Sequence, residues 1–506
     1  MAQAGAGNRA QELLKRIHAL YQEGYYEVSP DIVSYNSVLK AWKEEEQPEA
    51  ALELLETMIR NEREGEQREI LLGGSTLSPH SDAHAAGGDK PIRVDVISFN
   101  TVIAAFANQG NHQKALELLR KMQKEPSNNN NNNDSNTGGD GDGTEDTETK
   151  DDYFYPNPDT ITYNIVLYSL ALSNDPGTAA QAENLLREMM MRKERTGLSV
   201  VDTTSFNTVL YAWSREGETK RSSPATTTST TKGTSTLPKR PLSPKMSAQR
   251  AEDLLTIMKE LSEAGNMNVR PDVYSYTTVI QSWARCGNAG GTDKAQAILD
   301  QMIERGLQPN QLTYTALMNA LSRAGEPERA ESVLHQMKAA RHKPDTVAVS
   351  SIIDGWAKVS GKDRPEAAKR ALQIFRTMKQ ETSPGMRPTA TTYTSVLTAL
   401  AKSCTRNSGD EALDLLQEME EAHAATGDDD NNNNNTMETT SNSGIRNLDP
   451  KHDKWSMRPK NIHYNCVLDA HARSSRADKA IKAQHLMTVM ENHSRLDCRP
   501  DTISYK

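Results

Sequence analysis

The sequence predicts an all-α protein, an α-solenoid of about nine repeats that each hold two helices, with disordered insertions between some helices. Two short phrases alternate along the 506 residues, and the apolar residues of each phrase fall at helical spacing. The one uninterrupted unit, residues 311–345, is 35 residues long. Hydrophobic residues make up 36% and aromatic residues 5% of the chain, which is little for one large core but suits many small helical layers.

The first phrase is a β-branched or small residue followed by Ser or Thr, an aromatic residue, and Asn or Thr. Its copies start at Val33, Ile97, Ile161, Thr204, Tyr274, Leu312, Thr391 and Ile462, with a degenerate copy at Val347 and a further start at Ile503. In the first copy, Tyr35, Val38, Leu39 and Trp42 lie at i, i+3, i+4 and i+7, one face of an α-helix. The phrase therefore predicts the first helix of each unit.

The second phrase places a Met seven residues after an Ala and predicts the second helix of each unit. Its copies are Ala51/Met58, Ala115/Met122, Ala182/Met189, Ala251/Met258, Ala295/Met302, Ala330/Met337, Ala371/Met378, Ala412/Met419 and Ala483/Met490. Most units then close on Pro-Asp or a near variant. Neither helix can bury its apolar stripe alone, so neighbouring pairs must stack, and the Met and aromatic stripes are interpreted as packing rather than a cofactor site.

The phrases set the predicted boundaries. We expect a partial repeat with only a second helix at 1–31, repeats at 32–95, 96–159, 160–202, 203–272, 273–310, 311–345, 346–389, 390–460 and 461–501, and the start of another at 502–506. Polar, low-complexity insertions at 61–90, 126–152, 218–245 and 428–450 are expected to be disordered, although prion-like segments are an alternative. Because the chain stops inside a repeat, we expect a truncated chain, and a catalytic domain beyond residue 506 stays open.

Composition excludes several classes of protein. No apolar run approaches the roughly 18 residues of a membrane span. The four cysteines form no CxxC pair, which argues against a disulfide scaffold or a zinc site and favours a reducing compartment. The formal net charge of -9 comes from residues 126–152, with -7, and 428–438, with -4, so the remaining chain carries +2 and does not disfavour a polyanionic partner. No phosphate-binding loop, nucleophile elbow or metalloprotease helix occurs, and we predict no catalytic residue, metal, cofactor or small-molecule substrate.

The helix pair of about 35 residues, the opening Val-x-Ser/Thr-Tyr-Asn/Thr, the Ala-x-x-Leu-Leu-x-x-Met second helix and the closing Pro-Asp resemble the pentatricopeptide repeat family in its P-type form. The resemblance covers almost the whole chain outside the insertions. It implies a right-handed superhelix that binds single-stranded RNA, one base per repeat. The alternative is a scaffold of tetratricopeptide type that binds proteins, but the W-x2-L-G-x2-Y signature of that repeat is absent.

In such repeats the residue after the aromatic and the last residue of the unit face the base edge. Here these pairs are Asn36/Asp95, Asn100/Asp159, Asn164/Asp202, Asn207/Asp272, Thr277/Asn310, Thr315/Asp345, Ser350/Thr389, Thr394/Lys460 and Asn465/Asp501. An Asn amide suits the pairing edge of a pyrimidine, a shorter hydroxyl leaves room for a purine, and an Asp accepts from the imino N–H of U or G. The family pattern then implies 5′-UUUUAG, two open bases and U-3′.

Each assignment has a structural alternative. The closing Asp precedes a helix, and an N-cap of this kind is worth about 1 kcal/mol, so capping alone explains Asp95, Asp159, Asp202, Asp272, Asp345 and Asp501. The second residue of the first helix resembles the family's base-sandwiching position, and the alternative is packing between repeats. These residues are Val33, Ile97, Ile161, Leu312, Val347 and Ile462.

The thirteenth residue of the unit is basic in six of the nine units. These residues are Arg215, Arg285, Arg323, Lys358, Lys402 and Arg473. In register along a superhelix they would meet successive phosphates, whereas the alternative is that each compensates a helix C-terminus, worth about 0.3–1 kcal/mol. From the resemblance alone we expect a mitochondrial or chloroplast protein, with RNA and RNA-processing proteins as partners and no membrane.

Overall fold

The computed structural model describes residues 5–25, 28–71, 92–123, 155–196, 201–216, 243–287, 289–361, 364–381, 384–425, 458–493 and 496–505. In these ranges the chain forms α-helices joined by turns and two short 3-10 helices, Pro384–Met386 and Leu496–Cys498. The predicted all-α class of stacked helix pairs is therefore confirmed. None of the helices within these ranges combines the length and the apolar character that a membrane crossing needs.

Each predicted repeat begins with a helix that starts at the first residue of its unit. These first helices are α2 Ile32–Glu44, α4 Val96–Asn108, α6 Thr160–Leu172, α8 Thr203–Glu216, α10 Val273–Ala284, α12 Gln311–Ala324, α14 Thr346–Val359, α16 Ala390–Ser403 and α18 Asn461–Arg473. They match the predicted copies of the first phrase one for one. The aromatic residue of that phrase is buried in each of these helices that has one, and Tyr163, Tyr276 and Phe99 are 0% exposed, whereas Tyr505, in the copy that starts at Ile503, is 67% exposed.

The second helices follow in alternation, and one of them precedes the first pair. They are α1 Ala6–Gln22, α3 Pro48–Leu71, α5 His112–Gln123, α7 Thr178–Thr196, α9 Pro244–Glu263, α11 Ala289–Glu304, α13 Pro327–Ala339, α15 Pro365–Gln380, α17 Ser408–Ala425 and α19 Lys479–Glu491. The Ala and Met of the second phrase are buried in these helices, except for Ala483, which is partly buried. The interpretation of both stripes as packing is thus confirmed within the described residues.

The helices form two compact units, one of Met1–Ser243 with Arg250–Pro271 and one of Pro244–Gln249 with Asp272–Lys506. In the first unit, α4 packs between α2 and α6, and α6 packs against α8. In the second unit, the same arrangement runs from α10 through α12, α14 and α16 to α18. Each unit therefore carries a layer of first helices, and the residues after the aromatics occupy the same place on every helix of that layer.

The predicted insertion at 61–90 begins too early, because α3 continues to Leu71. Glu62 ties this extension to the following segment. Its buried carboxylate accepts a hydrogen bond from the Val94 backbone N–H at 3.0 Å and lies 3.8 Å from the Arg93 guanidinium. The insertion at 218–245 ends slightly earlier than predicted, because α9 starts at Pro244. The segments 72–90, 126–152, 218–242 and 428–450 lie outside the described residues.

Candidate functional site

The fifth residue of each first helix is the predicted base-reading residue, and its exposure differs between repeats. Most of these side chains are half-buried: Asn36, Asn100, Asn164, Asn207, Ser350, Thr394 and Asn465. Thr277 and Thr315 are buried, at 4% and 8% exposure. Seven of the nine predicted base-reading side chains are therefore accessible to a base edge, and Thr277 and Thr315 are less accessible.

In the first unit the asparagines contact the residues with which the sequence pairs them. Asn36 Nδ2 donates to both carboxylate oxygens of Asp95, at 3.3 and 3.4 Å. The hydroxyl of Ser98, the third residue of α4, donates to Asn36 Oδ1 at 2.7 Å and to Asp95 Oδ1 at 2.8 Å. We name this group of three side chains, which joins two successive repeats, the amide clasp.

The complete amide clasp recurs at two further asparagines, Asn164 and Asn465. Asn164 Nδ2 donates to the two oxygens of Asp202 at 3.3 and 3.4 Å, and Ser205 completes the group. In the second unit, Asn465 Nδ2 donates to Asp501 Oδ1 at 3.1 Å, and Ser504 Oγ donates to Asn465 Oδ1.

Asn100 forms an incomplete clasp. Its Nδ2 donates to Asp159 Oδ1 at 3.3 Å, but the third residue of the next helix, Thr162, turns its hydroxyl to Asp159 alone. Asn100 Oδ1 is buried without a hydrogen-bond partner among the described residues. A buried acceptor without a donor is costly in the free chain and is satisfied when a ligand supplies the donor.

The hydroxyl repeats of the second unit are arranged differently, because Thr and Ser are too short to reach the closing residue. Thr277 Oγ1 donates to the Val273 carbonyl at 2.7 Å and lies 2.6 Å from Thr313 Oγ1. Ser350 Oγ lies 2.7 Å from Thr392 Oγ1. Both contacts go to the third residue of the next first helix rather than to the closing residue.

Thr315 and Thr394 complete the hydroxyl set. Thr315 Oγ1 is buried with no partner among the described residues, while its closing residue Asp345 accepts from Gln311 Nε2 at 3.0 Å. Thr394 Oγ1 donates to the Ala390 carbonyl at 2.8 Å and lies 3.0 Å from His463 Nε2. In both repeats, the two residues that the sequence pairs do not bond to each other in the free chain.

The closing residues also cap the following helices, as the structural alternative predicts. Oδ1 of Asp95, Asp159, Asp202, Asp272, Asn310 and Asp345 accepts from the backbone N–H three residues on, at 2.8–2.9 Å. Asp501 makes the same bond at 3.0 Å in front of the turn at 502–505. In the amide clasp one carboxylate thus caps a helix through Oδ1 and holds the Asn amide as well. Capping and base reading are compatible, because Oδ2 takes no part in the cap.

Hydrogen bonding keeps two of these carboxylates ionised. Burial raises the pKa of the Asp159 carboxyl, but the hydrogen bonds from Thr162 and Asn100 outweigh it, so the pKa lies below its usual value. For Asp501, the Ser504 backbone N–H is the largest cause of a lowered pKa, against the effect of burial. At neutral pH both carboxylates can therefore accept hydrogen bonds but cannot donate them.

The second residues of the first helices are exposed, although they are apolar. Val33 is 64% exposed and Leu312 56%, and the other members of the set, Ile97, Ile161, Val347 and Ile462, lie between 50% and 61%. This exposure argues against packing between repeats, the alternative for these residues. Tyr274 holds the same position with 50% exposure and was not among the predicted residues, although the register of the phrase identifies it.

The third residue of the first helix was not predicted from the sequence, and it contacts the fifth residue of the preceding repeat. The members that make this contact are Ser98, Ser205, Thr313, Thr392, His463 and Ser504. The Ser or Thr that recurs at this position of the first phrase was the available signal, but only packing of the layer shows what the side chain contacts.

The six basic residues at the thirteenth position divide by their contacts. Arg215 Nη1 donates to the carbonyls of Ala171 and Leu172 at 3.3 and 3.2 Å, which compensates the C-terminus of the preceding first helix. Lys402 does the same through the Ala357 carbonyl, at 3.1 Å. Arg473 pairs with Asp469 in its own helix at 2.6 Å.

Arg285, Arg323 and Lys358 complete the basic set. Arg285 forms the C-cap of α10, and Arg323 is exposed on the last turn of α12. Lys358 Nζ lies 2.8 Å from Asp354 Oδ2, one turn earlier in α14. The compensation of helix C-termini thus accounts for part of the basic set, and exposed cations remain for another role.

A groove of about 490 Å³ in the second unit brings three kinds of predicted residue together. Its walls come from α12, α14 and the start of α16. They include the reading pair Ser350 and Thr389, the sandwiching residue Val347, and the basic residues Arg323 and Lys358. Polar base-edge partners, an exposed aliphatic surface and cations within one concave site match the chemistry of a nucleotide.

Comparison with known proteins finds repeats of one family in five segments of the chain. A model of the pentatricopeptide repeat (PPR) family matches residues 271–323 and 312–358, and a model of the single PPR repeat matches 33–62, 97–126 and 462–490. The chain therefore carries PPR repeats at these residues. Among curated proteins no match is found.

Solved PPR structures are similar over nearly all of this chain. PPR10 from maize is 20% identical, with a TM-score of 0.39, over 98% of this chain and 65% of that chain. PPR10 in complex with an 18-nt psaJ RNA element is 17% identical, with a TM-score of 0.36, over 99% and 56%. This PPR chain thus spans less than two thirds of the length of either solved chain.

Proposed function

We propose that this PPR chain binds single-stranded RNA, reads one base per repeat, and has no catalytic role of its own in the described repeats. The groove of the second unit carries the proposal, because it joins Ser350 and Thr389 with Val347 and two cations from consecutive repeats. A base edge would meet the hydroxyls, its face would rest on the aliphatic side chain, and the phosphates would meet the cations.

The fifth and closing residues support reading by hydrogen bonds to base edges. The amide clasp fixes the Asn side chain while one amide hydrogen and the Asp Oδ2 retain capacity for a base. Asn100 Oδ1 and Thr315 Oγ1 add buried acceptors without partners among the described residues. The proposed target is 5′-UUUUAG, two open bases and U-3′.

The biological setting belongs to the same proposal. We infer that the chain acts on a mitochondrial or chloroplast transcript, in its processing, stability, editing or translation, together with proteins of those pathways. The PPR repeats support the proposed organellar setting, whereas the groove of the second unit gives no information about it. Import of a fluorescent fusion into either organelle would support it, and an exclusively cytosolic fusion would contradict it.

Fluorescence anisotropy with labelled RNA tests the binding itself. The full chain should bind an RNA that contains UUUUAG at least tenfold tighter than a scrambled RNA of the same composition. Equal affinity for the two RNAs would contradict base reading but would still support RNA binding. Binding to neither RNA would favour the tetratricopeptide-like protein scaffold instead.

A pair of variants tests the register of the fifth repeat. Asn310→Asp should move the preference at the fifth base from A to G, and Thr277→Asn with Asn310→Asp should move it to U. Asp and Asn are equivalent N-caps, so α12 keeps its start in both variants. Unchanged preference for A in both would contradict the assignment of these two residues.

A further inference from the structure

The eighth repeat departs from the other reading pairs, because a lysine closes it. Lys460 takes the place that Asp, Asn or Thr holds in the other repeats, at the N-cap of α18. Its side chain is exposed, and an ammonium group has three donors and no acceptor. The closing position thus offers the base a donor where an Asp offers an acceptor.

His463 fixes the other half of the pair. The Lys460 backbone N–H donates to His463 Nδ1 at 2.9 Å, so a neutral ring carries its proton on Nε2. His463 is 2% exposed, and burial lowers the pKa of its imidazole, which favours the neutral ring. Nε2 then donates to Thr394 Oγ1 at 3.0 Å and to the Ala390 carbonyl at 3.3 Å.

The Thr394 hydroxyl is left as an acceptor. Its own hydrogen goes to the Ala390 carbonyl at 2.8 Å, and one lone pair accepts from His463. The second lone pair is available to a ligand. The half-buried Thr394 can therefore accept from a base but cannot donate to it without breaking a bond.

We propose that the eighth repeat selects a base with an exocyclic amino group beside an unprotonated ring nitrogen, which is adenine or cytosine. The amino group would donate to Thr394 Oγ1, and the ring nitrogen would accept from the Lys460 ammonium. Uracil and guanine present the reverse pattern, a carbonyl beside an imino N–H, and they would meet an acceptor with an acceptor and a donor with a donor. This inference rests on the proposed RNA binding.

The test uses the full chain and four RNAs, 5′-UUUUAGANU-3′, that differ only in the eighth base N. Adenine and cytosine should bind about fivefold or more tighter than uracil and guanine, the discrimination expected of one two-bond contact. Lys460→Asp should remove the preference for adenine and cytosine and favour guanine, whose imino N–H and neighbouring amino group both donate. Lys343→Asp, an equal charge change at an exposed linker position, should weaken all four RNAs alike.

The outcomes separate this inference from the proposed function. Equal affinity for the four RNAs, with UUUUAG still preferred over the scrambled RNA, would overturn the assignment of the eighth repeat alone. A uniform loss for Lys460→Asp would reduce Lys460 to a phosphate contact. Failure of every RNA to exceed the scrambled control would remove base reading altogether.

Discussion

The first three repeats and the hydroxyl repeats of the second unit differ in how the fifth residue of the first helix is hydrogen-bonded. In the former, an Asn spans the gap to the next repeat and holds its closing Asp at 3.3 Å. In the latter, Thr277, Ser350 and Thr394 bond to their own helix or to the third residue of the next one, and Thr315 Oγ1 has no partner among the described residues. One extra amide group decides whether the two reading residues act as a coupled pair.

Asn465 shows that the residue, and not the region, sets this difference. It lies in the second unit behind four hydroxyl repeats, yet it forms the amide clasp with Asp501 and Ser504. A clasped carboxylate also caps the next helix, so each Asn repeat concentrates stability and base reading in one small polar network. Such networks lose more than one interaction when one member is removed.

Removal of the closing carboxylate should have the largest effect. Asp95→Ala loses the N-cap of α4 and leaves Asn36 and Ser98 without their shared acceptor, at a cost of about 2 kcal/mol. Asp345→Ala loses the cap of α14 and an exposed bond from Gln311, at about 1 kcal/mol. Native-state hydrogen exchange in the first turns of α4 and α14 measures both local stabilities.

Asp95→Asn is the control for that pair, because Asn caps as well as Asp does. It should stay within about 0.5 kcal/mol of the parent chain at the α4 N-terminus. Equal losses for Asp95→Ala and Asp345→Ala would contradict the added role of the amide clasp.

The next largest expected effect is a coupling energy in RNA binding, measured with double-mutant cycles. Asn36→Ala and Asp95→Asn touch bonded partners, so their costs for a target with U at the first base should be non-additive by about 1 kcal/mol. Thr315→Ala and Asp345→Asn touch residues that do not bond to each other, and their costs should add within about 0.5 kcal/mol. Titration of the four variants and two doubles gives the coupling energies, and coupling in both cycles would erase the distinction.

The smallest expected effect is that of single cation substitutions on the salt dependence of RNA binding. Six phosphate contacts would give a slope of about -4, but Arg215 and Lys402 already donate to carbonyls, so we expect about -3. Arg323→Gln should reduce the magnitude of the slope by about 0.7, and Lys402→Gln should leave it unchanged. Affinities between 50 and 300 mM salt, about a sixfold range, measure these slopes, and a flat dependence would argue against phosphate contacts.

Much of the fold follows from the sequence because its signals are local and repeated. The apolar spacing around Tyr35 and Ala51 predicts helices wherever they recur, and the closing Asp predicts the helix start through capping. The start of the first insertion was predicted too early because a charged segment looks like a solvent-exposed loop in the sequence. The burial of Glu62 and its bond to Val94 depend on a contact between distant segments, which the local sequence does not show.

The candidate site was predictable in its positions but not in its contacts. Repetition gave the register, the family resemblance implied the roles of the second, fifth and closing residues, and Tyr274 was overlooked because it is aromatic rather than aliphatic. The buried state of Thr277 and the role of Ser98 depend on how one first helix lies against the next.

The amino-acid sequence by itself determined the number of helix pairs, their register and the residues that face a common surface, because helical periodicity and capping act over a few neighbouring residues. Tertiary structure alone decided which polar side chains are bonded to one another and which remain open to a ligand. Those bonds span 36 to 73 residues, from Thr277 with Thr313 to Ala390 with His463, and no local pattern specifies the distance between their atoms.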